Sequence, residues 1–165
     1  MTQPRCSVPK TGMDYFLEIA AGLLIISLWG LIALNYNRLP DTIPVHFSFG
    51  LQPDAYGSKS LIWTIPVVGT LLFLMFTILS RYPHTFNYPV TITEENIERI
   101  YRFAVRFVRV LNLLLALLMT SLFYLQIFFT LGNTVYPFMR IIVWGCVFLI
   151  LFLVIYFMVR IFKMA

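Results

Sequence analysis

The chain has 165 residues, of which 60% are hydrophobic and 12% are charged, and it carries a net charge of +5. Its mean hydropathy of +0.86 lies far above that of soluble domains and excludes an ordinary water-soluble protein. The positive charge therefore indicates orientation in a membrane and contact with anionic lipid, and it does not indicate nucleic-acid binding.

Four apolar runs are long enough to span a bilayer, which takes about 20 residues in a helix. They cover residues 15–35, 61–80, 110–131 and 141–159. Because four spans and one ordered loop leave no room for a separate soluble domain, residues 1–165 are predicted to form a single membrane domain. The expected fold is an all-α bundle of four transmembrane helices. Glu18 falls in the first turn of the first span, where its carboxylate is predicted to reach lipid headgroups.

The connection after the first span, residues 39–59, is predicted to be a rigid folded cap. The run from Val45 to Phe49 alternates apolar and polar residues, which indicates a short extended segment with its polar residues on one face. Prolines and glycines restrict the surrounding backbone, with turns expected at both glycines and at Pro53. These backbone residues are Pro40, Pro44, Gly50, Pro53 and Gly57.

Four side chains carry the chemistry of the cap: His46, Asp54, Tyr56 and Lys59. They could form a ligand or peptide surface, or an Asp54–Lys59 ion pair and a hydrogen-bonded His46 could simply hold the cap shut. A metal site would join His46 to Asp41 or Asp54, and catalysis would pair His46 with Lys59 or Asp54. One imidazole without a second His or Cys, in a sequence without a nucleophile motif, favours no metal, no cofactor and no catalytic residue.

Polar residues and a proline inside the spans set further expectations. Pro66 removes the hydrogen bond that its amide would donate to Ile62, so we expect a kink in the second span near the outer surface. Membrane helices often tolerate such a proline without further consequence; the alternative is that it splays the outer half of the bundle and opens a cavity beneath the cap. Asn112 and Thr120 are predicted to form interhelical hydrogen bonds. The spans carry no ionisable residue at mid-depth, which weakens the case for an ion-coupled transporter.

The segment before the third span predicts an amphipathic helix on the cytoplasmic surface that runs into that span. Apolar residues recur at helical spacing from Ile97 to Val108. Four arginines follow another face and are predicted to contact lipid headgroups, with a docking face for a cytoplasmic partner as the alternative. They are Arg99, Arg102, Arg106 and Arg109. Two pairs, Glu95–Arg99 and Glu98–Arg102, have the i,i+4 spacing that favours ion pairing.

Basic residues are shared unequally between the two predicted faces of the membrane. Three belong to one face, namely Arg38, Lys59 and Arg140. Nine belong to the other: Arg5, Lys10, Arg81, Arg99, Arg102, Arg106, Arg109, Arg160 and Lys163. The positive-inside rule then places both termini and the arginine segment in the cytoplasm and the cap outside.

The cap and the start of the second span resemble SdpI-like bacterial membrane proteins. The pattern is Leu39-Pro40-x-x-Ile43-Pro44-x-His46-Phe47, then Gly50, then Pro53-Asp54-x-Tyr56-Gly57-Ser58-Lys59, then Pro66. It is similar to the N-terminal module of that family, a domain of unknown function. The resemblance extends more loosely over residues 19–126.

This resemblance implies a non-enzymatic, multi-pass protein of the bacterial inner membrane. For SdpI itself it implies immunity to a secreted toxin and binding of a cytoplasmic repressor. SdpI carries a further multi-span C-terminal module that this chain is expected to lack. The leading hypothesis is that the cap binds a ligand or a peptide or protein partner. A small transporter or channel subunit is the alternative, a membrane-embedded enzyme or metal site using His46 comes third, and the oligomeric state stays open.

Overall fold

A computed structural model describes residues 3–132 and 137–164 of the chain. Its helices are α1 (Gly12–Asn35), α2 (Thr64–Leu79), α3 (Ile97–Thr130) and α4 (Pro137–Phe162). Strands β1 (Thr42–Phe47) and β2 (Pro53–Ser58) lie between α1 and α2, and short 3₁₀ turns cover Tyr36–Arg38, Lys59–Trp63 and Pro83–Thr85. The structure contains four helices long and apolar enough to cross a membrane, as predicted.

The bundle is organised around α3, which packs against each of the other three helices. Residues three or four positions apart in α1 face α3 and form one buried stripe. The resulting core contains Ala21, Ile25, Leu28 and Ile32 of α1 with Ala116, Phe123 and Ile127 of α3. At Gly69 of α2 an added Cβ would lie 3.2 Å from Leu28 Cδ1, so a small residue allows α2 to approach α1.

Polar side chains join the helices inside the bundle, as predicted for Asn112 and Thr120. Asn112 Nδ2 donates to Thr77 Oγ1 at 3.1 Å, which connects α3 to α2. Thr120 Oγ1 donates to Leu24 O at 3.3 Å, which connects α3 to α1. Because hydrocarbon cannot satisfy these groups, the bonds help to hold neighbouring helices together.

The predicted amphipathic helix is the first part of α3 and not a separate element. At about 1.5 Å per residue, the 34 residues of α3 extend over about 51 Å, well beyond roughly 30 Å of hydrocarbon. The apolar positions Ile100, Tyr101, Ala104 and Val105 are buried, as their spacing predicts. One continuous helix therefore links the membrane span to the polar layer beside it.

Pro66 lies in the first turn of α2, so the lost hydrogen bond from which the kink was predicted does not arise within this helix. The preceding residues, Lys59–Trp63, form a 3₁₀ turn that Ser58 caps through a 3.4 Å contact with the Ser60 amide. A proline in the first helical turn loses no intrahelical hydrogen bond, because the amides there have no partner within the helix. The α-helical part of the second span has 16 residues, and together with the 3₁₀ turn the span covers Lys59–Leu79, close to the predicted 61–80.

The first connection forms a two-stranded antiparallel hairpin, so the chain is mostly helical and not all-α. Thr42 pairs with Ser58 and Pro44 with Tyr56, and the ladder is irregular on both sides of His46. At the tip, Leu51 N–H donates to Ser48 O at 2.8 Å and Leu51 adopts φ = +53°. The extended geometry predicted for the run from Val45 is thus part of a hairpin whose turn lies at residues 48–52.

The two ends of the bundle have different structures, and we name them separately. The hairpin end carries β1 and β2. The terminal end carries residues 3–11, the connection 80–96 and the last turns of α4. Tyr101 Oη donates there to Pro4 O at 2.9 Å, and Arg99 Nη2 donates to Met164 O at 2.6 Å. Both ends of the described chain therefore lie at the same end of the bundle.

Candidate functional site

The hairpin is fastened to the helices at two points. Gln126 Nε2 of α3 donates to Pro44 O at 2.7 Å in a buried contact. Lys59 Nζ donates to Leu39 O at 3.0 Å and lies 4.5 Å from the centre of the Tyr36 ring. Because Pro44 O can only accept, the first contact also fixes the orientation of the Gln126 amide.

Aromatic side chains extend the attachment towards α4. The Phe47 ring lies 5.6 Å from that of Phe129 in α3. The Phe49 ring is stacked on Trp144 of α4, with a 5.6 Å centroid distance and an interplanar angle of 2°. Phe49 is nevertheless 87% exposed, so only one face of its ring is covered. Phe49 therefore lies at the edge of this aromatic contact and not in the hydrophobic core.

His46 and Asp54 form a pair across the hairpin. His46 Nδ1 lies 2.5 Å from Asp54 Oδ1, and the two side chains are 70% and 44% exposed. Exposed pairs of this kind contribute about 0–1 kcal/mol to stability. The contact therefore orients two reactive groups while leaving both accessible to a ligand.

Beside this pair lies a cleft of about 510 Å³, which we call the hairpin cleft. Its walls are apolar and come from three elements, with Phe49 on the hairpin, Leu118 and Leu122 on α3, and Val143 and Trp144 on α4. His46 and Asp54 line the same cleft. Apolar walls with a few polar groups are the usual composition of a ligand site.

A smaller cavity of about 240 Å³ adjoins the hairpin cleft and shares His46, Phe47, Leu51 and Leu122 with it. Gln126 lines this inner cavity. Its Oε1 atom is buried and has no hydrogen-bond partner among residues 3–132 and 137–164. An unpaired buried acceptor costs about 1–3 kcal/mol. The hairpin therefore packs beside an acceptor atom that could still receive a hydrogen bond.

The catalytic and metal hypotheses find little support in this geometry. In the described part of the chain no three His, Cys, Asp or Glu residues approach closely enough to hold a metal ion. Ser48 lines the hairpin cleft, but its Oγ accepts from Gln52 N–H at 3.4 Å, and no described contact joins it to His46. Among the described residues that line the cleft, no serine hydroxyl is therefore hydrogen-bonded to His46, as a histidine-activated nucleophile would be.

The four predicted site residues are not all brought together. The proposed Asp54–Lys59 ion pair is not formed, because Asp54 lies towards the tip of the hairpin and Lys59 follows its open end. Five residues of extended chain separate them by about 17 Å. Tyr56 is 63% exposed and is not among the residues lining the cleft. Only His46 and Asp54 belong to one site.

Two residues predicted to mark turns lie in strand β2. Pro53 begins the strand, and Gly57 pairs with Ile43 within it. A Cβ on Gly57 would lie 2.9 Å from Leu61 Cδ1 and 3.1 Å from Val45 Cγ1. Gly57 thus permits close packing and does not form a turn. Pro40 is exposed, Pro44 is buried, and Gly50 lies in the hairpin tip beside Leu51.

The prediction that the arginines line a lipid-facing surface is wrong for Arg109. This side chain is 5% exposed, with Nη1 3.0 Å from Asp14 Oδ1 and Nε 2.9 Å from Glu18 Oε1. Glu18 also contacts Lys10 Nζ and so faces the bundle instead of the headgroups. The cause is the packing of α3 against the first turns of α1, which turns these charges inward.

The other arginines differ in their environment. Arg106 Nη2 donates to Thr11 Oγ1 at 2.9 Å and lies 3.5 Å from Asp14 Oδ2, with the side chain 42% exposed. Arg102 forms the predicted pair with Glu98, whereas Arg99 bonds to a backbone carbonyl and not to Glu95. For the exposed Arg99 and Arg102, headgroup contact stays a prediction.

Three residues of the site were not singled out by the sequence. Phe49 could have been found, because it ends the alternating run of the cap. Gln126 lies near the end of an apolar run, and its partner Pro44 is 82 residues away in the chain. Trp144 lies in a uniformly apolar helix, where no periodic signal distinguishes the cleft-facing residues.

The fold and the site define a multi-pass membrane protein with a hairpin that closes one end of a four-helix bundle. Residues 23–70 match a family described as "Domain of unknown function (DUF1648)". This segment runs from α1 through the hairpin into α2 and contains the His46–Asp54 pair. The predicted resemblance to a domain of unknown function is thereby confirmed for this segment.

One curated relative comes from Archaeoglobus fulgidus and carries the name "Uncharacterized protein". It is 35% identical over 75 residues, which cover 41% of this chain and 41% of the relative. The match thus spans less than half of the length of that relative. No solved structure matches the chain. Neither the family description nor the name of the relative indicates an enzyme.

Proposed function

We propose that this protein binds an amphipathic, cationic peptide in the hairpin cleft, without catalysis. The observation that carries the proposal is the cleft itself, where apolar walls from three elements meet one carboxylate, Asp54. An apolar side chain of the peptide would pack against Phe49, Trp144 and Leu122, because their burial by a ligand is favourable at about 25 cal/mol per Å². A lysine or amino terminus of the peptide would pair with Asp54 in place of His46.

The proposal also includes the type of membrane protein, its role and its orientation. We infer that the protein is of the SdpI-like type, since the matched segment contains the motif at residues 39–66. The implied immunity role makes the peptide a segment of a secreted toxin. The distribution of basic residues favours an inner-membrane orientation with both termini in the cytoplasm and the hairpin end outside.

A photo-crosslinking experiment tests binding and orientation together. The probe is a synthetic peptide of alternating leucine and lysine that carries a benzophenone side chain. With purified protein in neutral-lipid nanodiscs, we expect crosslinks in the hairpin and around Trp144. Asp54→Asn should lower their yield about tenfold, as expected for loss of a charge-assisted contact. The same peptide added to intact cells should label the protein only if the hairpin end faces outside.

The matched control is Asp41→Asn, which removes an exposed carboxylate that is not among the residues lining the cleft. Binding in the cleft predicts that Asp41→Asn leaves the yield unchanged. If both variants lowered the crosslinking yield equally, the effect would come from general surface charge and not from binding in the cleft. Crosslinks spread over lipid-facing helix positions would show that the peptide binds the bilayer and would overturn the proposal.

A further inference from the structure

A second cleft, of about 230 Å³, lies at the terminal end, and we call it the basic cleft. Three cationic side chains from different parts of the chain line it: Lys10 before α1, Arg81 after α2 and Arg109 in α3. None of the described residues that line it is acidic. A concave site with three convergent cations concentrates positive potential and attracts anions.

The carboxylates nearby do not neutralise this charge. Asp14 and Glu18 contact Lys10, Arg106 and Arg109. With Arg81, four cations share two carboxylates, which leaves two positive charges uncompensated. Arg81 is exposed, and its guanidinium has no ion-pair partner in the described part of the chain.

Arg109 is already held in position for a further ligand. Its Nε donates to Glu18 Oε1 at 2.9 Å, its Nη1 lies 3.0 Å from Asp14 Oδ1, and the side chain is 5% exposed. Its Nη2 donates no hydrogen bond to residues 3–132 and 137–164. A fixed guanidinium loses little conformational entropy when it binds, and its planar donors match the geometry of phosphate oxygens.

We propose that the basic cleft binds a phosphate group through Lys10, Arg81 and Arg109. The group is carried by an anionic phospholipid or by free inorganic phosphate, which present the same chemistry. This site lies at the opposite end of the bundle from the hairpin cleft and does not depend on the proposed peptide binding. It also differs from the predicted headgroup contact of the arginine face, since Arg109 lies in the cleft and not on a lipid-facing surface, and Arg81 and Lys10 lie outside that face.

The test uses the full chain in detergent with an equal mixture of phosphatidylglycerol and phosphatidylcholine, followed by native mass spectrometry of retained lipid. We expect preferential retention of phosphatidylglycerol and a loss of about tenfold in Arg81→Gln, since one charge-assisted contact is removed. Arg81→Gln breaks no described ion pair, so the variant should fold, and thermal unfolding checks this. The matched control is Arg160→Gln, an exposed cation near the end of α4.

Titration of inorganic phosphate into lipid-free protein distinguishes the two sources. Saturable phosphate binding that Arg81→Gln abolishes, without a lipid preference, assigns the cleft to the free anion. Retention of phosphatidylglycerol without phosphate binding assigns it to the lipid. Equal losses for Arg81→Gln and Arg160→Gln, or no loss for either, would overturn the proposal.

Discussion

The two ends of this bundle use the same kinds of charged side chain in opposite ways. At the hairpin end, His46 and Asp54 form an exposed pair beside an apolar cleft. At the terminal end, Asp14 and Arg109 are 3% and 5% exposed and belong to a network that joins α1 to α3. The exposed pair is accessible to a ligand on most sides, whereas the buried network holds α1 against α3.

The terminal end is also closed by aromatic packing. Tyr88 stacks on Tyr101 with a 5.5 Å centroid distance, and its hydroxyl donates to Pro83 O at 3.0 Å. Burial, and secondarily the neighbouring Tyr101 hydroxyl, raise the pKa of Tyr88 well above its ordinary value. The phenol therefore stays protonated and keeps donating in neutral solution. At the hairpin end, by contrast, the Phe49 ring is largely exposed and is not buried by its neighbours.

The largest effect is expected at the terminal end, for Arg109→Met. Removing this guanidinium leaves two carboxylates with fewer cations in a buried site, which typically costs about 3–5 kcal/mol. We expect about 3 kcal/mol, because Lys10 and Arg106 still contact Glu18 and Asp14. Reversible unfolding in mixed micelles, followed by far-UV circular dichroism, measures the change.

Two further variants sharpen that result. Arg160→Met, which removes an exposed cation from α4, should change the free energy of unfolding by less than about 0.5 kcal/mol. Replacing Asp14, Glu18 and Arg109 together by leucine or methionine should recover much of the loss, because an apolar cluster has no charge to desolvate. If Arg109→Met left the free energy of unfolding unchanged, the charged network at the terminal end would not stabilise the bundle. The two ends would then not differ in this respect.

An intermediate effect is expected for Gln126→Leu, which leaves Pro44 O without its buried donor. The expected local cost is about 1–2 kcal/mol, somewhat offset because the unpaired Oε1 is also removed. Amide hydrogen exchange of the hairpin measures it, since the Ser48 and Lys59 amides are hydrogen-bonded there. Gln52→Leu, at an exposed position of the turn, serves as the control. Unchanged exchange rates would mean that other contacts fasten the hairpin.

The smallest effect on stability is expected for His46→Gln and Asp54→Asn. Because both side chains are largely exposed, each change should alter the free energy of unfolding by less than about 1 kcal/mol. The unfolding measurement used for Arg109→Met applies here as well. A loss as large as that of Gln126→Leu would give the pair a structural role and weaken the case for a ligand.

The sequence predicted some parts of the molecule well and others poorly. Length and hydropathy were sufficient for the four spans, and helical spacing identified the buried face at the start of α3. Asn112 was predicted correctly, because a polar group in hydrocarbon needs a partner on another helix. The lipid-facing role of Arg109 was wrong, because helical spacing shows which residues share a face but not what that face contacts.

The candidate site shows the same division. Local rules placed His46 in an extended segment but left both Lys59 and His46 open as partners of Asp54, and the folded hairpin brings Asp54 to His46. The stacking of Phe49 on Trp144 joins residues 95 positions apart in helix and loop, and no local pattern encodes it.

Composition and periodicity along the chain are sufficient for the class of protein, the number of spans and the segment that carries the signature. These properties depend on transfer of each residue from water to hydrocarbon and on neighbours within one helical turn. The inward charges at α1 and α3, the cleft beside the hairpin and the basic cleft at the other end arise only from packing. Their groups come from distant segments, and their burial depends on which helix faces reach one another in the folded bundle.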